Sequence, residues 1–247
     1  LTHLPDVVCC PDKDAFNEAI SDGLPKSVLR VTGSPALSTL YNNKEKYERH
    51  PPPRPQICDR SGGNKNILFI SEELAVSGNQ SVVGNNESQF NDDMFRRELA
   101  FLLSESFGYC SVIEKQHPSM ETVGKTEMML NGVRWEYVRD VDLHSLLWWS
   151  DLVIGISSMA LMEAAMLSRP TVSYQPELVE GVQCTAVRKK MIARCANRKQ
   201  LKQWLVDYGR ETYVLDYRPE YACKDSITSI LAIIKEKSNL LDNKLNV

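Results

Sequence analysis

The sequence of 247 residues predicts an α/β fold, a doubly wound parallel sheet that is preceded by the remnant of an N-terminal α/β domain. Three observations favour this fold class. After residue 65, short apolar runs alternate with helical segments, as expected of parallel strands joined by helical crossovers. Residues 151–177 read without interruption as strand, turn, helix and strand. The chain also opens with a smaller strand-helix-strand unit.

The opening unit consists of a predicted strand at residues 6–10, a helix at 14–21 and a strand at 27–31. Two strands and one helix cannot close a hydrophobic core by themselves. This piece must therefore join the later sheet or end a domain whose front half is missing. We assign residues 1–41 to the end of an N-terminal α/β domain.

A linker is predicted at residues 42–65, where the chain turns polar and carries many breakers of regular structure. Prolines stand at positions 51, 52, 53 and 55, and a Ser-Gly-Gly run occupies 61–63. Proline and glycine at this density interrupt both helices and strands. Residues 66–247 then form the larger predicted domain.

The larger domain shows a regular alternation of strands and helices around a polar loop at residues 75–91. Its predicted strands span residues 66–70, 110–115, 134–138, 151–155 and 171–174. Its predicted helices span residues 92–105, 143–149, 160–167, 198–208 and 226–237. Residues 128–133 are interpreted as a lead into the third strand, and residues from 192 onward as a further short apolar stretch. Short apolar strands of this kind are typical of a parallel sheet that is buried on both faces.

Composition excludes several classes of protein. The formal net charge is only −3, and the lysines and arginines are spread out, which argues against a nucleic-acid partner. The sequence holds no apolar run of the length that a transmembrane helix needs, and no basic and apolar leader. We therefore expect a cytoplasmic protein, either free or peripheral at the inner membrane.

The cysteines predict neither a disulfide framework nor a metal site. There are seven of them, an odd number, at positions 9, 10, 58, 110, 184, 195 and 223. They form no C-x-x-C pair, and no clustered histidines complete a zinc site. We expect reduced thiols, no metal and no cofactor.

Polar residues follow several of the predicted strands, and these are the candidate site residues. In a doubly wound sheet the ligand lies beyond the carboxyl ends of the strands. The residues found there are Ser71, Glu72, His117, Pro118, Arg139, Asp140, Ser157 and Ser158. A helix that begins directly after such a strand points unpaired N–H groups into the crevice, which favours a phosphate ligand.

Several of these residues have more than one interpretation. Ser157 and Ser158 could grip a phosphate, or one of them could cap the following helix, and both roles are compatible. Glu163 stands in an apolar helix, where it could accept hydrogen bonds from ribose hydroxyls or occupy an exposed position. His117 precedes a proline and is held extended, so it could donate to phosphate, carry a proton or be an ordinary loop residue. His144 is interpreted as structural.

Five segments carry a resemblance to a known family. The segments are VTGSPA at 31–36, residues 66–71, SDLVIGISS at 150–158, EAA at 163–165 and Arg-Pro at 169–170. Together they resemble the C-terminal domain of a GT-B type glycosyltransferase, in the superfamily that also holds the UDP-N-acetylglucosamine 2-epimerases. His-Pro at 117–118 and Ser-Ser at 157–158 stand in the order seen in bacterial sialyltransferases and polysialyltransferases.

The resemblance implies a nucleotide-sugar donor, linked to CMP, CDP or UDP, and a Rossmann-like domain at residues 66–247 that binds it. The candidate nucleotide- and phosphate-binding residues are Ser71, Glu72, His117, Val138, Arg139, Ser157, Ser158, Met159 and Glu163. The resemblance implies that His117 and the serine pair hold phosphate, Glu163 the ribose, and the backbone at 138–139 the base.

The implied activity is inverting, metal-independent glycosyl transfer to a glycan or lipid-linked acceptor in cell-surface polysaccharide or glycan synthesis. The alternatives are a sugar-nucleotide 2-epimerase or hydrolase and a non-catalytic subunit of polysaccharide assembly. No catalytic residue is assigned, because the general base of these families usually comes from the N-terminal domain. The partner of this chain would be a second copy in a homodimer or a missing N-terminal domain.

Overall fold

The chain divides into two compact units, Leu1–Arg49 with Arg218–Val247, and His50–Tyr217. The computed structural model describes residues 4–58, 64–72, 92–116, 127–176, 184–210 and 225–245. The predicted polar loop at 75–91 and the His-Pro pair at 117–118 lie outside these residues.

The described residues of the first unit form a two-stranded parallel sheet and three α-helices. In chain order it consists of β1 (Val8–Cys10), α1 (Lys13–Ser21), β2 (Leu29–Val31), α2 (Pro35–Arg49) and a C-terminal helix, α8 (Ser226–Leu245). β1 and β2 pair in parallel. The hydroxyl oxygens of Ser38 and Ser226 lie 2.7 Å apart in a buried contact between α2 and α8. The predicted opening unit of strand, helix and strand is therefore present.

This unit differs from the sequence-based boundaries at two points. Helix α2 extends to Arg49 and so occupies the first part of the predicted linker at 42–65. The segment is polar, but it is rich in helix-forming lysine, glutamate and arginine and meets no proline before residue 51. The C-terminal helix α8 belongs to the first unit, although it was placed in the domain at 66–247.

The second unit is built on a seven-stranded sheet. In chain order its elements are β3 (Lys65–Ile70), α3 (Asp92–Phe107), β4 (Cys110–Lys115), β5 (Glu127–Leu130), β6 (Val133–Val138), α4 (Leu143–Trp149), β7 (Leu152–Gly155), α5 (Met159–Met166), β8 (Thr171–Tyr174), α6 (Thr185–Arg188), β9 (Ala193–Cys195) and α7 (Arg198–Gly209). The strand order is β5-β6-β4-β3-β7-β8-β9. All neighbouring strands are parallel except β5 and β6. The predicted α/β, doubly wound fold class is confirmed.

Strand β5 is an addition to the predicted elements. It pairs antiparallel with β6 through a turn at Asn131 and Gly132, whose φ angles are 49° and 80°. Positive φ at both central residues is the geometry for which Asn-Gly is favoured in hairpins. The residues interpreted as a lead into β6 therefore form the first arm of a hairpin.

A buried ion pair joins helix α3 to strand β4 in the second unit. Glu114 on β4 is fully buried and accepts two hydrogen bonds from Arg96 on α3, both 2.8 Å long. Its carboxylate also accepts a hydrogen bond of 2.8 Å from Nε1 of Trp135. Phe69 and Phe95 stack beside this network with ring centroids 5.3 Å apart. The charge is thus compensated inside an otherwise apolar core.

The order of the strands reverses between β3 and β7. From β3 the chain moves outward through β4 to β6, and it then returns to place β7 on the other side of β3. Gly155 permits the close approach of these strands, because a Cβ atom there would lie 2.9 Å from Leu161 Cδ2 and 3.3 Å from Ile70 Cβ. A reversal of this kind opens a crevice beyond the strand ends, where ligands of open α/β sheets bind.

Candidate functional site

The candidate site lies at the carboxyl ends of β3 and β7, on either side of the strand reversal. Ser71 and Glu72 follow β3, and Ser157 and Ser158 follow β7 and precede α5. Because β3 and β7 pair in register from Ile67 with Leu152 onward, their ends fall at the same edge of the sheet. The two predicted groups of site residues therefore meet.

The contact between these groups is a set of three hydrogen bonds to one carboxylate. Glu72 Oε1 accepts from the backbone N–H of Ser157 at 2.8 Å and from that of Ser158 at 2.5 Å. Glu72 Oε2 accepts from the hydroxyl of Ser157 at 2.5 Å. We call the position bounded by these three donors the anion seat. It lies at the positive end of α5, where a negative group is stabilised by the helix dipole.

Ser158 also caps the helix. Its hydroxyl oxygen accepts from the backbone N–H of Ala160 at 3.3 Å. The capping interpretation is therefore satisfied by a side chain, while the backbone N–H groups of Ser157 and Ser158 turn toward the anion seat. The cap leaves these two N–H groups to the Glu72 carboxylate, so capping by Ser158 does not exclude the predicted phosphate role, which stays a prediction.

Ser173, on β8, and Gln175, directly after it, hold the turn between β7 and α5 in place. This turn carries the anion seat. Nε2 of Gln175 donates to the carbonyl oxygen of Ile156 at 2.8 Å and to the hydroxyl oxygen of Ser173 at 2.8 Å. The Ser173 hydroxyl also donates to that carbonyl. Both side chains are fully buried. Sequence analysis missed them, although polar side chains within and just after the apolar run at 171–175 were the available signal.

Two amide atoms at this edge of the sheet are buried and lack a hydrogen-bond partner. Within the described ranges, these are Oε1 of Gln175, after β8, and Nε2 of Gln116, after β4. The residues are 1% and 4% exposed. Buried polar groups are nearly always hydrogen-bonded, so unsatisfied ones are expected where a ligand completes the set.

Glu163 forms an ion pair with a histidine. On α5, its Oε2 lies 3.1 Å from Nε2 of His144 on α4, and both side chains are partly exposed. The hydrogen bond that the protonated His144 ring donates to the Glu163 carboxylate raises the pKa of His144 above its usual value of 6.5. The contact adds an ion-pairing role to the two interpretations that the sequence gave Glu163, and it explains the position of His144.

The backbone expected to hold a base lies one strand further along the edge. The carbonyl oxygen of Val138 accepts from the N–H of Gln116 at 2.9 Å. The carbonyl oxygen of Arg139 accepts from Nζ of Lys115. Strand β4 separates these residues from β3. Both carbonyl groups are thus engaged within the chain.

The remaining predicted site residues are placed in different surroundings. Ser71 is 4% exposed, and its N–H donates to the carbonyl oxygen of Lys115 at 3.1 Å. Met159, the first residue of α5, is 50% exposed beside the anion seat. His117 lies outside the described residues.

In the described part of the chain, no group of three or more histidine, cysteine, aspartate or glutamate residues could hold a metal ion. None of the described helices is both long and apolar enough to cross a membrane. Burial raises the pKa of Cys110 and of Cys195 to about 12, so these thiols stay protonated at neutral pH.

Known proteins resemble this chain in fold. No protein-family model matches it, and no curated protein matches it in sequence. Staphylococcus aureus MnaA, in a co-structure with UDP, superposes with a TM-score of 0.63 at 16% identity, over 96% of this chain and 61% of that chain. A UDP-GlcNAc 2-epimerase from Methanocaldococcus jannaschii, in complex with UDP-GlcNAc and UDP, gives 0.62 at 12%, over 94% and 61%. The wall teichoic acid polymerase TagF gives 0.55 at 12%, over 96% and 59%.

These similarities define a fold. The chain has the Rossmann-like architecture of GT-B type glycosyltransferases and UDP-GlcNAc 2-epimerases. It spans about three fifths of the length of each of these proteins. A fold of this kind hosts more than one chemistry, so the function has to be argued from the site.

Proposed function

We propose that this chain is the donor-nucleotide part of a glycosyltransferase-like protein and binds a sugar linked to CMP, CDP or UDP. The observation that carries the proposal is the convergence of the N–H groups of Ser157 and Ser158 on one negative group at the strand reversal. Backbone N–H groups at the start of a helix beside such a reversal are a recurrent site for nucleotide phosphate. These N–H groups already bind a carboxylate, which accepts hydrogen bonds as a phosphate does.

The places of the other candidate residues along this edge of the sheet indicate which parts of the nucleotide they would contact. Glu163 lies on the same helix, one to two turns beyond the anion seat, and its carboxylate would accept the ribose hydroxyls. The base would extend toward the backbone at 138–139, and the exposed side chain of Met159 would cover the ligand. His117 would add a donor to the phosphate, and Ser71 would line the floor of the crevice.

The proposed reaction is inverting transfer of the sugar without a metal ion. Negative charge develops on the leaving phosphate as its bond to the sugar breaks, and preorganised N–H donors stabilise that charge. The donors at the anion seat and His117 would supply this stabilisation. A base from other parts of the assembled protein would accept the proton of a glycan or lipid-linked acceptor. In this arrangement the seven-stranded sheet of the second unit holds the donor.

Calorimetric titration with CMP, CDP, UMP, UDP and CMP-sialic acid shows whether the chain binds a nucleotide and which nucleobase it prefers.

The substitution Glu163→Gln tests the proposed ribose contact when the affinity for UDP is compared with the affinity for its 2′-deoxy analogue. We expect the substitution to weaken UDP by about tenfold, the value of a hydrogen bond to a charged group, and to weaken the deoxy analogue less. His144→Gln is the matched control, since it removes the same ion pair from the other side. Equal effects of the two substitutions, or no binding of any nucleotide to the wild-type chain, would overturn the proposal.

A sugar-nucleotide 2-epimerase is the second candidate. It is favoured by the fold similarity to the M. jannaschii protein described as a UDP-GlcNAc 2-epimerase. Incubation with UDP-GlcNAc in deuterated water distinguishes the two, because epimerisation at C2 exchanges the C2 proton, and transfer leaves that proton in place. Nucleotide binding without either reaction, in an assay that also contains the rest of the assembled protein, would favour a non-catalytic subunit.

A further inference from the structure

Glu72 occupies the position that the proposed function gives to phosphate. Its two carboxylate oxygens accept all three hydrogen bonds of the anion seat, at 2.8, 2.5 and 2.5 Å. Each of these donors has one hydrogen to give. A second anion cannot use them while Glu72 stays in place.

The carboxylate of Glu72 is a chemical stand-in for phosphate oxygens. Both groups are negatively charged and accept short, charge-assisted hydrogen bonds from N–H and O–H donors. Both are stabilised at the start of a helix. The group that accepts the three hydrogen bonds of the anion seat in this structure is thus a carboxylate of the chain itself.

Two buried amide atoms at this edge of the sheet have unused hydrogen-bonding capacity that a polar ligand could satisfy. Gln175, whose Nε2 holds the carbonyl oxygen that precedes Ser157, keeps a buried Oε1 without a donor. This atom and the buried Nε2 of Gln116 are the unsatisfied amide atoms that the described residues place at the strand ends. Contacts from Glu72 satisfy the seat but leave both amide atoms unmatched.

We propose that Glu72 is an internal competitor for phosphate, an autoinhibitory contact that a nucleotide must displace in order to bind. This inference rests on the proposed function, since it concerns the same seat. A ligand that binds only molecules in which Glu72 has left the seat has its apparent affinity reduced by the fraction of such molecules. Glu72 therefore sets the concentration of nucleotide at which the site fills.

Two substitutions test the competition in the full 247-residue chain. Glu72→Ala removes the competing group, and Glu72→Gln keeps its size but removes its charge. We expect calorimetry to show UDP binding tightened by about tenfold to a hundredfold in Glu72→Ala, and by less in Glu72→Gln. Glu105→Gln, on the exposed side of α3, is the control and should bind UDP as the wild-type chain does.

Thermal unfolding with inorganic phosphate gives a second measurement that needs no nucleotide. An anion that binds the folded chain raises the melting temperature. We expect phosphate to raise the melting temperature of Glu72→Ala and to leave that of the wild-type chain nearly unchanged. If Glu72→Ala does not fold, the same comparison is made with Glu72→Gln.

The outcomes distinguish a failure of the competition by Glu72 from a failure of the proposed function. Equal UDP affinity in wild type and both variants would overturn the competition and leave nucleotide binding standing. Phosphate stabilisation of Glu72→Ala, with no nucleotide bound by any variant, would support the competition and overturn the proposed function. Phosphate that stabilises wild type and variants alike would overturn the competition.

Discussion

Glu72 and Ser157 stand 85 positions apart in the sequence, yet the Glu72 carboxylate accepts a hydrogen bond of 2.8 Å from the backbone N–H of Ser157. The contact joins the ends of β3 and β7 at the point where the strand order reverses. It therefore holds the two strand ends together and occupies the donors of the proposed phosphate site.

Loss of the Glu72 carboxylate should destabilise the ligand-free chain. Glu72→Ala leaves the N–H groups of Ser157 and Ser158 without their charged acceptor. We expect the free energy of unfolding to fall by about 1–3 kcal/mol, measured by urea denaturation in a buffer without phosphate or sulfate. Glu105→Ala, at an exposed position, should change it by less than about 0.5 kcal/mol. Indistinguishable values for the two variants would show that the contact contributes nothing.

The buried ion pair beneath the sheet should be sensitive to the loss of one partner. Glu114→Ala leaves the Arg96 guanidinium and Nε1 of Trp135 without their acceptor inside the core. We expect a loss of about 3–5 kcal/mol in the free energy of unfolding. The double variant Arg96→Met, Glu114→Leu removes both charges and should recover most of that loss. A double variant as unstable as Glu114→Ala would contradict the account.

His144 should make stability depend on pH. Its pKa is raised in the folded chain by Glu163, so the folded state binds the proton more tightly than the unfolded state does. The resulting stabilisation is fully present below pH 6.5 and is lost as the pH rises through the folded pKa. Because the pair is partly exposed, we expect less than about 1 kcal/mol.

Urea denaturation between about pH 5.5 and 8.5 measures this loss, in the range where histidine titrates. His144→Gln is the comparison, and the difference in stability between it and the wild-type chain should shrink as the pH rises. A difference that is constant across the range would show that the ion pair carries no linked proton.

Gly155 should tolerate no larger side chain without rearrangement. A Cβ atom there would lie 2.9 Å from Leu161 Cδ2 and 3.3 Å from Ile70 Cβ. We expect Gly155→Ala to lower the free energy of unfolding by about 1–3 kcal/mol, as overpacking does. Leu161→Ala removes the nearest atom, so the double variant should be less destabilised than the sum of the single variants. Strict additivity would show that the two positions do not compete for space.

The sequence predicted much of the fold because the pattern is local. Apolar runs such as the one at 66–70 and the continuous unit at 151–177 specify strands and a helix without reference to distant residues. Helix α2 was missed because its second half, residues 42–49, is almost wholly polar and forms a helix through the propensity of its lysine, glutamate and arginine residues. The hairpin at Asn131 and Gly132 was missed although its turn signal was present.

The site could be predicted only in part. The carboxyl ends of parallel strands meet at one edge, so Glu72 and the serine pair could be grouped from the sequence. The pairing of the Glu72 carboxylate with N–H groups 85 positions away depends on register and strand order, which no local pattern specifies. For the same reason the hydrogen bonds from Ser173 and Gln175 to the carbonyl oxygen of Ile156 could be recognised only in the structure.

Backbone NMR during titration with UDP shows whether the nucleotide binds the Ser157 and Ser158 amides in competition with Glu72. The measurement is made on the wild-type chain and on Glu72→Gln, in which the competing charge is removed. We expect both amide resonances to shift saturably, and we expect saturation at a lower UDP concentration in Glu72→Gln than in the wild-type chain. Amide resonances at Ser157 and Ser158 that stay in place while UDP saturates another region of the chain would contradict it.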